Sequence, residues 1–264
     1  MSGHGSQPAP PIPETIRSGR RPLWQRVLYF VCRGASRWLI TLFYRHRVWG
    51  RRNVPPDGPL LVISNHQSHL DPIMCGTSMR RPLYYLARAP LFSNRVFGAF
   101  LVGLGCVPLR QGETDAAAIR SSIELIKQGK ALLVFPEGSR TPDGRVGEFK
   151  RGAWVLLSRA KCPVLPMAVE GGYDTWPRRN TLPKLVGGRL ATMVGPPIAH
   201  ADLVAMGPEA GLAFLRERIE SMRQQLARRL GSANFALTTS PIPPALRPES
   251  DQPAPPPAAG RSRP

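Results

Sequence analysis

Acidic residues and lysine are scarce in this sequence. Of its 264 residues, 17 are acidic and 36 are basic, and only five of the basic residues are lysine, so the formal net charge is +19. A chain this basic favours an anionic partner, such as a phospholipid surface, a phosphorylated substrate or a nucleic acid. The positive charge is spread along the chain and no recognised nucleic-acid-binding motif occurs, so we expect no nucleic-acid partner.

Cysteine pairs, a signal sequence and long apolar runs are also missing. The four cysteines are far apart and form no Cys-x-x-Cys pair, which argues against a disulfide framework or a zinc site and favours buried thiols in a reducing compartment. The first 20 residues contain no apolar core, so we expect no secretory signal peptide. No uninterrupted apolar run reaches the ~18 residues of a clear transmembrane helix.

Composition predicts four parts of the chain. Residues 1–21 and 232–264 are rich in Pro, Gly, Ser or Ala and have little to bury, which predicts disorder. The pattern of apolar and basic residues at 22–49 predicts a helix. Residues 50–231 alternate strand-like and helix-like segments, which predicts an α/β domain with a mixed, mainly parallel central sheet flanked by helices.

The predicted helix at residues 22–49 is amphipathic. At about 100° per residue, Arg26, Arg33 and Arg37 fall within a narrow stripe. The opposite side carries Trp24, Leu28, Val31, Ala35, Leu39 and Leu42. A basic stripe opposite a Trp- and Leu-rich face is typical of a helix that lies in the plane of a membrane surface, so we expect an anionic membrane partner, at the cytoplasmic face. The alternative is a helix that packs its apolar face on the protein's own core, with the arginines in water.

A first polar motif, S-N-H-Q-S-H-L-D-P, follows an apolar run at residues 60–63 that is typical of a strand covered on both faces. It places His66 and Asp71 with four residues between them. A histidine that takes a proton needs a second group to fix its tautomer and steady the imidazolium, and a carboxylate does both. On this motif alone the alternative stays open that Asp71 only caps a helix beginning at Pro72.

A second motif, F-P-E-G-S-R, follows the apolar run at residues 131–135. If the two strands are parallel neighbours, both motifs lie at the same edge of the sheet, where α/β proteins bind ligands. Gly138 permits close approach of the backbone to a ligand, and Arg140 offers a planar fork for a phosphate. Lys150 and Arg151 add positive charge nearby. Taken singly, Gly138 also fits a plain turn and Arg140 a surface salt bridge.

Together these motifs resemble those of the membrane-associated glycerolipid acyltransferases, in particular the 1-acyl-glycerol-3-phosphate acyltransferases. The resemblance runs from about residue 48 to residue 197. The family's N-H-x-S-x-x-D motif is present as Asn65, His66, Ser68 and Asp71. Its F-P-E-G-[ST]-R motif is complete at residues 135–140.

Two further family motifs are matched around these. A Gly-rich approach ending in arginine corresponds to residues 105–110, and a proline pair in an apolar strand corresponds to Pro163 and Pro166. The usual F-K-x-G follows the second motif at residues 149–152. The sequence departs from the family at residues 87–91, where a Lys-Glu-Leu element is frequent, and at Cys162, where valine is frequent.

The resemblance implies direct acyl transfer, with His66 as general base and Asp71 orienting its ring. A fatty acyl group would move from acyl-CoA or acyl carrier protein to the hydroxyl of 1-acyl-glycerol-3-phosphate, giving phosphatidic acid in phospholipid biosynthesis. The implied substrate-binding residues are Asn65, Ser68, Arg110, Glu137, Gly138, Ser139, Arg140 and Lys150. We expect no metal and no other cofactor.

Two alternatives to this function remain at the level of sequence. The departures lie on the acceptor side as the family implies it, so the acceptor could be a different lyso-lipid. A serine lipid hydrolase would use Ser139 with His66 or His69, but the G-x-S-x-G turn of such enzymes is absent.

Overall fold

A seven-stranded sheet forms the centre of the protein. The structure, a computed structural model, describes residues 22–109, 116–185 and 187–231. Within these ranges the strands are β1 (Arg47–Trp49), β2 (Leu60–Ser64), β3 (Leu83–Arg88), β4 (Cys106–Leu109), β5 (Ala131–Val134), β6 (Val164–Glu170) and β7 (Ala191–Val194). Their order across the sheet is β1-β7-β6-β2-β5-β3-β4. Only β6 and β7 pair antiparallel, so the prediction of a mixed, mainly parallel sheet is confirmed.

Helices cover both faces of this sheet. They are α1 (Leu23–Tyr44), α2 (Asp71–Ser78), α3 (Arg95–Gly103), α4 (Ala116–Lys127), α5 (Arg151–Ala160), α6 (Gly172–Thr175), α7 (His200–Ala205) and α8 (Pro208–Leu230). Short 3-10 turns lie at Arg51–Asn53 and Ala89–Phe92.

Alternation along the central strands divides the core into two layers. Leu61 and Ile63 of β2 face one way and pack in a cluster with side chains of α4, α5 and α8, whereas Leu60 and Val62 face the other way and pack with α1 and α2. Every residue of β2, β5 and β6 is buried. Strands covered on both faces have no polar side to alternate, which is why they read as continuous apolar runs.

The pairing of β2 with β5 decides where the functional motifs lie. The two strands are parallel, with Leu60 opposite Ala131 and Ile63 opposite Val134. The residues that follow each strand therefore emerge at the same edge of the sheet, as expected. We call this edge, at which β2, β5 and β6 end, the carboxyl edge.

The N-terminal helix is shorter than predicted. It ends at Tyr44, because Arg45 adopts a left-handed conformation (φ 49°) and its N–H closes the last turn on Ile40 and Thr41. Residues 47–49 then form β1, which pairs with β7. The predicted helical segment at residues 22–49 was therefore wrong in its last residues, which belong to the sheet. The predicted disordered ends, residues 1–21 and 232–264, lie outside the described residues, as does Arg110.

The apolar side of α1 faces outward. Its buried positions are Gln25, Tyr29, Ile40 and Tyr44. Trp24 is 59% exposed and Trp38 is 64% exposed, and Leu23, Val27, Val31 and Leu42 are also exposed. The alternative in which the Trp- and Leu-rich side packs on the protein's own core is therefore wrong. None of the described helices is both long and apolar enough to cross a bilayer.

Candidate active site

A histidine and an aspartate form the centre of the site, in the loop between β2 and α2. Nδ1 of His66 lies 2.8 Å from Oδ2 of Asp71. The same oxygen accepts hydrogen bonds from the backbone N–H groups of Gln67 (2.5 Å) and Ser68 (2.6 Å). With Asp71 fully buried and accepting from Nδ1–H, the lone pair of His66 is left on Nε2. The helix cap is Leu70, so Asp71 does more than begin α2.

Aromatic stacking and the second motif hold the His66 ring. The ring lies flat against Phe135, with centroids 4.0 Å apart and planes 14° apart. The backbone N–H of Thr141 donates to the carbonyl of His66 at 2.8 Å. His66 keeps 19% of its side chain exposed, so its ring is fixed in orientation and still reachable.

Glu137 ties the two motifs together. Its Oε1 accepts from the backbone N–H of His66 (2.8 Å), and its Oε2 accepts from the backbone N–H of Gly147 (3.1 Å). Burial raises the pKa of this carboxyl to about 7, and the nearby Asp71 adds to the rise, while the two N–H donors oppose it. Both oxygens are thus bonded within the protein, and Glu137 positions the histidine loop where the sequence suggested a substrate contact.

Asn65 and Ser68 are also fully buried. The Asn65 amide donates to the carbonyl of Val169 (3.0 Å) and accepts from its N–H (2.9 Å), clamping the end of β2 to β6. The Ser68 hydroxyl accepts from the N–H of Leu70 at 3.3 Å. These bonds shape the loop that carries His66, and the substrate-binding role expected of Asn65 and Ser68 from the sequence stays a prediction.

The remaining residues of the second motif are more accessible. Gly138 has a φ of +70°, which favours glycine, and the Lys150 side chain crosses the turn there, with its Nζ 2.9 Å from the place of a Cβ. Ser139 and Arg140 are half-buried, and Lys150 is exposed. The structure thus brings the cations of Arg140 and Lys150 to the carboxyl edge with His66. Among the described contacts of the His66 ring, none is a hydrogen bond to Ser139.

A buried polar network behind the loop was not predicted. The Gln67 amide donates to the carbonyl of Gly144 (2.8 Å) and to Oε2 of Glu170 (3.1 Å). Arg223 of α8 donates to the same oxygen of Glu170 at 3.0 Å. Gln67 occupies a variable position of the first motif and its partners are over 70 residues away in sequence, at separations of 77 and 103, so no local signal pointed to it.

Glycine at position 172 lets another segment approach the aspartate. A Cβ on Gly172 would lie 2.8 Å from Oδ1 of Asp71 and 2.9 Å from Cβ of Ser68. Any larger residue would push the first turn of α6 away from the loop. No group of three or more His, Cys, Asp or Glu side chains in the described residues is placed to hold a metal ion.

An apolar cavity of about 280 Å³ begins beside the histidine. Phe135, which stacks on His66, and Pro72, which follows Asp71, both line it. From there it extends between α1, α2 and β3. Its walls include Cys32, Ile73, Ala87 and Leu133.

Comparison with known proteins agrees with this geometry. A family model described as Acyltransferase matches residues 45–170, the stretch that contains both motifs. This part of the chain belongs to the acyltransferase family. Its strands β2 and β5, their two motifs and the paired His66 and Asp71 all lie within the matched part.

Individual relatives carry a more specific name. The chain is 25% identical to the 1-acyl-sn-glycerol-3-phosphate acyltransferase of Bacillus subtilis, over 77% of this chain and 98% of that protein. It is 31% identical to the protein of that name from Pseudomonas aeruginosa, over 67% of this chain and 66% of that protein. It spans 38% and 37% of the two plant chloroplast relatives that it also matches.

A solved structure shares the fold. It is the crystal structure of the 1-acyl-sn-glycerophosphate acyltransferase PlsC from Thermotoga maritima, with a TM-score of 0.66 and 24% identity. The match covers 80% of this chain and 85% of that one.

Proposed function

We propose that this enzyme transfers a fatty acyl group to the free hydroxyl of 1-acyl-glycerol-3-phosphate, giving phosphatidic acid for phospholipid biosynthesis. The observation that carries the proposal is the contact of His66 Nδ1 with the buried carboxylate of Asp71 at 2.8 Å. This pairing leaves Nε2 as the base, at a carboxyl edge that also carries two cations. The names of the relatives support the acceptor.

The reaction needs only one proton carrier. Nε2 of His66 takes the proton of the acceptor hydroxyl as its oxygen attacks the thioester carbonyl of the donor, acyl-CoA or acyl carrier protein. The tetrahedral intermediate then expels the thiolate, which receives the proton from His66. Asp71 stabilises the imidazolium between these steps, with its own charge held by the N–H groups of Gln67 and Ser68. The chain's residues supply this chemistry without a metal or cofactor in the scheme.

The cations at the carboxyl edge suit the phosphate of the acceptor. Arg140 offers a planar fork, and Lys150 crosses the turn at Gly138. The resemblance implies Arg110 as a further phosphate-binding cation, and this residue lies outside the described residues. A phosphate held here fixes the glycerol backbone, so its hydroxyl reaches His66 without a search over orientations.

The cavity beside His66 suits the acyl chain that is transferred. A thioester carbonyl held at Nε2 can extend its chain past Phe135 into the cavity between α1 and α2. The walls there are mainly apolar, which favours an acyl chain over water.

The exposed side of α1 suits a membrane surface. Trp24, Trp38 and Leu42 are 59%, 64% and 57% exposed, and side chains of this kind partition into the boundary between headgroups and acyl chains. The lyso-lipid acceptor is reached from such a surface. We therefore propose that the protein works on a membrane surface, and we keep the cytoplasmic face that the sequence analysis expects as part of this proposal.

An acceptor panel tests the function most directly. Purified protein would be given labelled acyl-CoA, or acyl carrier protein loaded with the same chain, and 1-acyl-glycerol-3-phosphate or lyso-lipids with other headgroups. We expect labelled phosphatidic acid as the main product. If the main product came from a different lyso-lipid, the proposed acceptor would be wrong and the acyl-transfer chemistry would stand. Free fatty acid as the only product would point to hydrolysis.

A further inference from the structure

A second basic site lies at the opposite edge of the sheet from His66. A recess of about 610 Å³ is lined by five arginines from three segments, together with Phe30 and Gly34. The arginines are Arg33, Arg37, Arg51, Arg52 and Arg80. No acidic side chain is among its described lining residues. We call this feature the arginine recess.

The topology of the sheet places the arginine recess at the opposite edge from the His66 motif, although Arg33 also lines the apolar cavity. β1 is parallel to β7 and β7 is antiparallel to β6, so β1 ends at the edge where β2 and β5 begin. Arg51 and Arg52 follow β1 directly, and Arg80 lies just before β3 begins. The recess is therefore at the far edge from the carboxyl edge and its phosphate-binding cations.

The arginines are held together by the backbone. The carbonyl of Met79 accepts hydrogen bonds from the guanidinium groups of both Arg33 and Arg51, the latter at 3.1 Å. The turn that carries Arg51 is fixed by Asn53, whose amide donates to the carbonyl of Val194 at 2.9 Å. These bonds bring like charges together where water alone would let them spread.

The gathered charges have no carboxylate partner in the part of the chain that the structure describes. None of the five arginines forms an ion pair with a carboxylate of the described residues, and Nε of Arg51 is buried with no described hydrogen-bond partner. Burial lowers the pKa of Arg51, and the positive charges of Arg37, Arg33 and Arg80 lower it further. An anion in the recess would relieve this repulsion and complete the hydrogen bonds of Arg51.

The position of the recess on α1 suggests the source of that anion. At about 100° per residue, Phe30 and Gly34 fall between Arg33 and the outward-facing Trp38. The recess thus opens beside the exposed apolar side of α1. If that side lies in a membrane, the mouth of the recess lies at the level of the lipid phosphates.

We propose that the arginine recess binds the phosphate group of an anionic phospholipid in the membrane surface, separately from the acceptor. The ligand chemistry is that of a phosphate ester, for which arginine forks are suited. The proposal rests on the membrane association proposed above. It would seat the enzyme in a fixed orientation on bilayers that contain anionic lipid.

Removing charge from the recess tests this with a matched control. Arg52→Gln/Arg80→Gln removes two exposed arginines of the recess, and Arg120→Gln/Arg159→Gln removes two exposed arginines of α4 and α5. Binding of full-length protein is measured by flotation with phosphatidylcholine vesicles, with and without phosphatidylglycerol. Since one basic side chain near an anionic surface contributes roughly fivefold, we expect the recess variant to lose about 25-fold on the anionic vesicles and the control to lose far less. Neither variant should change on phosphatidylcholine alone, because the phosphate of that lipid is balanced by its own ammonium group and the membrane carries no net charge.

A second pair of variants changes charge at constant size. A Cβ on Gly34 would meet nothing within 4 Å, so Gly34→Glu and Gly34→Gln both fit. The carboxylate of Gly34→Glu would occupy the recess as an internal anion, and this variant should bind anionic vesicles several-fold more weakly than Gly34→Gln. Acyl transfer to a short-chain, water-soluble acceptor is measured on every variant and should be unchanged.

The outcomes separate the possible sources of phosphate and the two proposals. Equal losses of vesicle binding in the recess and control variants would show a diffuse charge effect and overturn the proposed site. The site would also be overturned if the wild-type protein bound the two kinds of vesicle equally well. Inorganic phosphate at matched ionic strength is also tested for thermal stabilisation of the protein. If Gly34→Glu lost this stabilisation but bound vesicles as the wild type does, the ligand would be a soluble phosphate and not a lipid. Failure of acyl transfer in the wild type would remove the proposed enzyme activity but leave the vesicle result standing.

Discussion

The backbone N–H of His66 donates to the side chain of Glu137, at 2.8 Å. The histidine loop after β2 and the F-P-E-G-S-R loop after β5 are thus fastened to each other by a buried carboxylate. Because Glu137 also accepts from Gly147, a single side chain holds three segments around the ring. The position of His66 depends on the second motif as much as on the first.

Replacing His66 by alanine should abolish the base and leave the fold. We expect acyl transfer to fall by at least ~10²-fold, the usual scale of general acid–base catalysis. His69→Ala is the matched control, because His69 is exposed and its ring faces Trp176 at 5.0 Å. Initial rates with labelled acyl-CoA check both variants. An active His66→Ala beside an inactive His69→Ala would transfer the role to His69.

Replacing Glu137 by glutamine should change how stability depends on pH. The pKa of Glu137 is about 7 in the folded protein against 4.5 for an ordinary glutamate, so between these values the folded state holds a proton that the unfolded chain has released. The free energy of unfolding should therefore fall as pH rises through this window, by about 3 kcal/mol at most, and level off above it. Below pH 4.5 both states are protonated and the contribution is constant.

Urea unfolding across this window measures the effect. Glu137→Gln cannot ionise and should lose that part of the slope, whereas the exposed control Glu217→Gln should keep it. Identical slopes in wild type and Glu137→Gln would mean that the carboxyl is not perturbed by its burial.

Sequence reasoning recovered the sheet and the pairing of His66 with Asp71 for physical reasons. Strands buried on both faces appear as unbroken apolar runs, so β2 and β5 and the shared edge of their motifs could be predicted. The carboxylate of Asp71 is close to His66 in sequence, so their pairing is local. The bonds of Glu137 to His66 and of Gln67 to Glu170 join distant segments, and nothing in the local pattern distinguishes such a side chain from one that contacts substrate.

The end of α1 escaped prediction for a different reason. Residues 45–49 continue the mixture of basic and apolar side chains that characterises the helix, so composition gives no boundary. The helix ends because Arg45 adopts a left-handed conformation and the backbone N–H of Arg47 donates to the carbonyl of Leu190 at 3.0 Å. Leu190 lies far from Arg47 in the sequence. The arginine recess likewise combines three segments that are adjacent only after folding.

Arg140→Lys should weaken the binding of the acceptor and leave the binding of the donor unchanged. Lysine keeps the charge but loses the planar fork that bonds two phosphate oxygens at once. We expect kcat/KM for 1-acyl-glycerol-3-phosphate to fall about tenfold, the scale of one charge-assisted hydrogen bond, with little change in the KM for acyl-CoA. The exposed Arg145→Lys serves as control. Unchanged acceptor kinetics in Arg140→Lys would remove this arginine from the site.

Narrowing the cavity should shift the preferred acyl chain. Ala87 of β3 is half-buried and lines the cavity beside His66, so Ala87→Leu fills space that the chain would occupy. We expect kcat/KM to drop for long acyl-CoA donors and to stay near the wild-type value for short ones. Ala201→Leu, an exposed position of α7, controls for the substitution itself. Unchanged kcat/KM for the long donors would place the acyl chain elsewhere, whereas a uniform loss over all chain lengths would indicate damage to the sheet.

Apolar contact through α1 should persist where electrostatic attraction is screened. Trp24 and Trp38 are exposed and are not needed for the core, so Trp24→Gln/Trp38→Gln should fold normally and bind vesicles at least tenfold more weakly, since each buried aromatic contributes about 1.5–3 kcal/mol. Because no charge changes, the loss should be as large at high salt as at low salt. Leu182→Gln/Leu185→Gln is the matched control, with side chains 76% and 66% exposed outside α1. If the control pair released the protein and the α1 pair did not, the membrane contact would lie near residues 182–185 and α1 would face water.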